Sequence, residues 1–183
     1  MDRDLVERAR HGDRDAFTDL VHQVSDGLFA VALRILRDPG PAEDALQNAL
    51  VTAWRQLPHL REPERFEAWA HRILVHACYA EARRAKRWSV TVRVLALEAP
   101  SAPDGSIRLA ERDELEHAFT RLSLEQRAVF VLHHYRGLPL VEVAETLGIP
   151  AGTARSRLHY ATQALRAALE ADTAPALNGG RLA

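Results

Sequence analysis

"AETLGIPAGTARSRLHYATQALRAAL", Ala144 to Leu169, is the stretch on which the fold turns. A short segment with helical apolar spacing runs to Gly148, where the chain needs a positive φ to turn. A second helix follows from about Ala151 to Leu169. Ala144 is small where the two helices would cross closely. Ala154, Leu158, Ala161 and Leu165 form the inner stripe of the second helix. Thr153, Ser156, Arg157 and Tyr160 share another face, flanked by Arg155 and His159. A short helix, a glycine turn and a second helix make the helix-turn-helix pattern. An ordinary helical hairpin with a solvated basic face has the same spacing. Pro150 stands where a polar N-cap is preferred.

Working outward, every periodic segment is helical. Phe17, Leu20, Val21, Val24, Leu28, Val31, Ile35 and Leu36 predict a long first helix ended by "RDPG". Leu46, Leu50, Ala53, Trp54 and Leu57 predict a second, begun near Pro41. After the loop "PHLREPER", Phe66, Trp69, Ala70, Ile73, Leu74 and Ala77 predict a third. Residues 90–108 contain two prolines, a glycine and one β-like piece, "VTVRVLAL", and read as a linker. Helical spacing resumes near Leu109. Ser123 and Gln126 have the form of a capping box, Gly137 is a stop, and Pro139 opens the next helix. The expectation is an all-α chain of two small helical domains, 1–89 and 109–170, joined by a flexible linker, 90–108, with a disordered tail, 171–183.

The single cysteine, Cys78, excludes an internal disulfide and suits a reducing compartment. No apolar run reaches membrane-spanning length, and the charged N-terminus carries no apolar signal core. A soluble cytoplasmic protein without membrane insertion is expected. The net charge of -1 hides local patches, and those decide polyanion binding. Four basic side chains fall in "EARRAKR", residues 81–87, and Arg155, Arg157 and Arg166 come late in the second domain.

Three constellations stand out. On the last helix, arginines suit guanine edges or phosphates, and hydroxyls suit bases or phosphates. On the third helix, Arg72, His76, Tyr79, Arg83 and Lys86 fall on one face that ends in "RRAKR" with Arg84 and Arg87. Aromatic rings stack on unpaired bases while cations track the backbone; a solvated surface with a basic C-terminal end fits equally. On the second helix, "AEDALQNALVTAWRQL" presents Glu43, Asp44, Gln47, Asn48, Val51 and Arg55 outward. That is either a protein-docking face or acids placed at a helix start by the dipole. Catalysis and metal binding find no support: there is no HExxH, no Cys/His pair at zinc spacing and no phosphate-binding glycine loop. His133 and His134 are adjacent and would diverge on a helix. No cofactor is expected, and the chain does not read as an enzyme.

Taken together, "DAFTDLV", "AEDALQNALVTAWRQL", "RFEAWAHRILVHACYAEARRAKR" and "LSLEQRAVFVLHHYRGLPLVEVAETLGIPAGTARSRLHYATQALRAAL" resemble, in this order, the extracytoplasmic-function group of bacterial sigma-70-type sigma factors. The resemblance covers residues 1 to about 170. It implies a region-2-like domain, a region-4-like domain, and a dissociable subunit that brings core RNA polymerase to promoters and assists DNA melting. Asp44, Gln47, Asn48, Leu50 and Trp54 would dock on the clamp of the largest polymerase subunit, with the flap as a further contact. The helix around Arg72, His76, Tyr79, Arg83, Arg84, Lys86 and Arg87, with the loop "LREPERF", would read the −10 element and hold an unstacked base. Thr153, Arg155, Ser156, Arg157 and Tyr160 would read the −35 element. The resemblance also raises an anti-sigma protein as a partner. His76 and Ala80 stand where the family often has Asn and Asp, and Ala70 and Ala82 replace common leucines. The alternatives are a stand-alone helix-turn-helix regulator, which would bind duplex DNA without polymerase, and a helical interaction protein that ignores DNA.

Overall fold

The computed structural model describes residues 2–95 and 118–173. All regular elements among them are helical: α1 (Arg3–Arg10), α2 (Arg14–Leu36), α3 (Pro39–Gln56), 3-10 turns at Leu57–His59 and Pro63–Arg65, α4 (Phe66–Leu95), α5 (Leu124–Phe130), α6 (Leu140–Leu147) and α7 (Ala151–Thr173). Residues 118–121 are also helical.

Capping chemistry sets the helix starts. Asp2, Asp13 and Asp38 each accept a backbone N–H at the start of α1, α2 and α3, and Pro39 occupies the first turn of α3. Ser123 and Gln126 close the expected capping box on α5. Gly148 ends α6 at φ +64° as the helix-turn-helix reading requires. Arg37 ends α2 in the left-handed region, a conformation unusual for a residue with a Cβ.

Four differences from the sequence reading have physical causes. The N-terminal residues form a separate helix, α1, which buries Leu5, Val6 and Ala9. The buried stripe of α3 is alanine (Ala42, Ala45, Ala49, Ala53), while Leu46 and Leu50 are half-buried at its flanks. Small side chains let α3 lie close to α2 and α4, so the spacing of large residues was the weaker guide. Helix α4 continues through residues 90–95, into the span read as linker. No Gly or Pro interrupts the chain between Phe66 and Pro100, and β-branched residues weaken an established helix only slightly. Finally, His133 and His134 lie in a π-helical turn, Val131–Tyr135, where Arg136 N–H bonds the Val131 carbonyl. The turn brings their rings within 4.8 Å of each other instead of letting them diverge. The remainder of the expected linker, the start of the second domain near Leu109, and residues 174–183 of the expected tail lie outside the described residues. Helix α7 itself reaches Thr173.

One apolar core joins both halves of the chain. Leu20, Val31, Ile35, Leu57 and Leu74 of the first half cluster with Val129, Leu132, Val143 and Leu147 of the second. Full burial of such a side chain is worth about 1.5–3 kcal/mol. A smaller core, Ala118, Leu122, Ala161 and Leu165, holds α7 to the start of the second half. Helices α5 and the π-turn pack on α2, and α6 packs on α4.

Candidate nucleic-acid interface

The first predicted surface is the outer side of α3. Asp44, Gln47 and Val51 are exposed, with Val51 51% accessible despite its apolar side chain. Asn48 is exposed but also donates to Glu81 Oε1 at 3.1 Å, tying α3 to α4. Leu50 and Trp54 are placed differently from the expectation. Leu50 is half-buried against the core, and Trp54 packs on Phe17 with ring centroids 4.8 Å apart. The helical turn that exposes Asp44 and Val51 carries these two inward, so they support the docking face from beneath.

The second surface is α4. Arg72, His76, Arg83, Arg84, Lys86 and Arg87 are all exposed. Arg84 pairs with Glu81 at 3.5 Å, which is itself nearly buried. Two grooves border this face. One, of about 580 Å³, runs between α3 and α4 and is lined by Asn48, Thr52, Trp69, Arg72 and His76. The other, of about 530 Å³, lies under the loop before α4 and is lined by His59, Arg61, Arg65, Trp69 and Arg72. Trp69 and Arg72 border both. An aromatic face beside a guanidinium, open to solvent, is what an unstacked base needs.

Tyr79 does not join this exposed face. Its ring packs into the shared core, and its hydroxyl is buried without a hydrogen-bond partner. Burial and the nearby Glu125 carboxylate push the phenol up to about 12. Helical spacing from Arg72 and His76 predicted an outward Tyr79 ring on the basic face; the docked second half covers it instead, leaving it half-buried. Cys78 is fully buried beside it, and burial pushes its thiol up to about 12, leaving it a packing residue.

The third surface is α7. Arg155, Ser156 and Tyr160 are exposed, Tyr160 by 61%. Ser156 Oγ donates to the Thr153 carbonyl at 3.0 Å. Thr153 and Arg157 are half-buried. Pro150 substitutes its carbonyl for a polar cap, accepting from Thr153 N–H at 2.9 Å and Ala154 N–H at 3.1 Å. Among the described residues no cluster of His, Cys, Asp or Glu could hold a metal ion, and no helix is long and apolar enough to cross a membrane.

The structure adds residues that sequence spacing had no means of finding, because they meet across the two halves. Arg65, in the loop before α4, pairs with Glu145 of α6 at 2.6 Å. Glu67 faces Arg136 at 3.7 Å, and Arg34 lies 3.7 Å over the Tyr135 ring. Glu145 and Thr146 thereby form one wall of the groove under the loop. Arg157 of α7 is close enough to Tyr79 to favour its ionised form, opposing the two effects above. Arg37 faces Arg127, whose guanidinium is pushed down by burial and by that like charge. The candidate residues for two separate DNA contacts are therefore drawn together.

A helical chain with exposed basic ends and a C-terminal helix-turn-helix is a DNA-binding architecture. Residues 20–88 match the family described as Sigma-70 region 2, and residues 118–167 match Sigma-70, region 4. The chain is 34% identical to the ECF RNA polymerase sigma factor SigL of Mycobacterium tuberculosis, over 78% of this chain and 82% of that one. It is 32% identical to the RNA polymerase sigma-E factor of Streptomyces avermitilis, over 87% and 88%. Among solved structures it is similar to CnrH in complex with the cytosolic domain of CnrY, with a TM-score of 0.67, 27% identity, and coverage of 94% of this chain and 99% of that one. The chain belongs to the extracytoplasmic-function group of the sigma-70 family: it is an alternative sigma factor that directs transcription initiation.

Proposed function

We propose that residues 1–89 dock on the clamp of core RNA polymerase and read the −10 element, and that residues 109–170 read the −35 element, with 90–108 as the tether. In the first domain, Asp44, Gln47, Asn48 and the exposed Val51 form the docking face, with Leu50 and Trp54 holding it rigid. Arg83, Arg84, Lys86 and Arg87 track the melted strand's phosphates, while Trp69, Arg72 and His76 border the grooves that take unstacked bases. In the second domain, Arg155, Ser156 and Tyr160 are exposed for the major groove, and Thr153 and Arg157 join them once uncovered. Tyr79 joins the −10 surface on the same condition. The protein acts in the cytoplasm and supplies no catalytic group; polymerase carries the chemistry. An anti-sigma protein is a further partner on this reading; CnrH, to which the chain is similar, is solved in complex with the cytosolic domain of CnrY.

The observation that carries this reading is the exposed basic end of α4 beside grooves walled by Trp69 and Arg72. The arrangement of the two halves bears on how they work. By their names the −10 and −35 elements lie about 25 base pairs apart, or about 85 Å at about 3.4 Å per pair. Domains linked by a 2.6 Å Arg65–Glu145 contact do not span that distance. Promoter reading therefore requires the halves to separate on polymerase, which holds both DNA contacts at high effective concentration. Run-off transcription with core polymerase tests the assignment. Arg157→Ala is expected to cost about 1–3 kcal/mol of −35 discrimination if it makes a bidentate base contact, with core binding intact. An unchanged −35 preference would remove Arg157 from the assignment.

A further inference from the structure

The buried His71 side chain is not part of the DNA or polymerase surfaces, yet it lies where the two halves meet. His71 is 4% exposed on α4. Its Nδ1–H donates to the Glu67 carbonyl at 2.7 Å, since a carbonyl only accepts. That leaves Nε2 as the free lone pair, buried and without a hydrogen-bond partner. The ring borders a cavity of about 210 Å³ between α2, α4 and the segment after the π-turn. The lining contributed by α2 is Gln23, Val24, Gly27 and Leu28, none of them charged. On α4 the charged neighbour is Glu67. From the second half it is Arg136, whose guanidinium approaches Gly27 closely enough that a Cβ there would meet Nη1 at 3.6 Å.

We propose that His71 is an acid-sensitive latch: protonation of its Nε2 loosens the contact between the two halves and favours the separated form. Closure buries the imidazole at the edge of this half-open cavity, whose lining includes the Arg136 side chain. Protonation there adds a second positive charge beside Arg136, at a nitrogen that makes no hydrogen bond in the closed form. Separation removes Arg136 and lets water reach Nε2. Burial first, and Arg136 second, hold the closed-state imidazole below its ordinary range, with the Glu67 carbonyl and carboxylate opposing them. Closure is fully favoured above the open-state value of about 6.5 and is lost as pH falls below it, by up to about tenfold in the closing constant per pH unit.

The latch rests on the reading that the halves separate in use, and the test keeps the two apart. The full chain is labelled at Asp15→Cys and Gln163→Cys, both exposed positions, leaving buried Cys78 in place. Energy transfer between the labels is followed from about pH 8 to about pH 5.5, across the range where an ordinary histidine titrates. Falling transfer in the parent chain, abolished in His71→Gln, supports the latch; Gln retains an N–H for the Glu67 carbonyl but cannot take the proton. Arg136→Gln, at an exposed position, should shrink the response because the facing charge is gone. Transfer that does not change with pH, or that changes equally in His71→Gln, overturns the latch and assigns any response to the other histidines. A separate arm adds core polymerase at about pH 8. Transfer that stays high there would count against domain separation itself, whatever His71 does.

Discussion

Replacing Tyr79 with phenylalanine should stabilise this protein, against the usual direction for a core substitution. The Tyr79 ring packs among residues of both halves, and its hydroxyl is buried without a hydrogen-bond partner. Such a group costs about 1–3 kcal/mol relative to its solvated state. Tyr79→Phe keeps the ring and its burial and deletes only the oxygen. Allowing for the small gap left behind, the net gain is about 1 kcal/mol, a rise in Tm of about 2–4 °C for a chain of this size. Urea unfolding should show a higher midpoint at an unchanged slope. The alkaline limb adds a second reading. Tyr79 titrates at about 12 folded against an ordinary 10. Its folded value is raised, so its contribution is intact below pH 10 and is lost as pH climbs from 10 towards 12. Tyr79→Phe should therefore lose less stability over that interval than the parent. A loss of about 1 kcal/mol or more at neutral pH would refute the reasoning, because it would mean that the hydroxyl makes a bond worth that much.

Leu132→Ala, at a fully buried position of the shared core, should cost about 2–5 kcal/mol in urea unfolding. Ser123→Ala breaks the capping box of α5 and should cost about 0.5–2 kcal/mol by the same measurement. Cys78 should resist alkylation in the native protein at mildly alkaline pH and react at once in denaturant, since burial both shields it and pushes its thiol up to about 12.

The parts legible in the sequence were those governed by local rules. Gly148 had to turn, and it does so at positive φ; Ser123 and Gln126 had to cap, and they do. The inner stripe of α7 was readable because Ala154, Ala161 and Leu165 recur at one-face helical spacing, and all three are buried. Where several residues of similar size compete, spacing misleads: α3 buries its alanines and leaves Leu46 and Leu50 at the flanks. Helix α1 starts on the Asp2 cap and ends before Asp13, the cap of α2, but it is too short for strong periodicity. Tyr79 and the pairs Arg65–Glu145 and Glu67–Arg136 depend on how one half docks on the other. Contacts between residues some 80 positions apart leave no trace in the period of either helix.

The most direct test of the central claim is size exclusion of the purified chain with bacterial core RNA polymerase, with Asp44→Arg alongside. Co-elution of the parent and its loss in Asp44→Arg is the predicted result, because Asp44 sits exposed on the outer side of α3, away from the core. Absence of co-elution, with tight binding of the free chain to duplex DNA, would contradict the account.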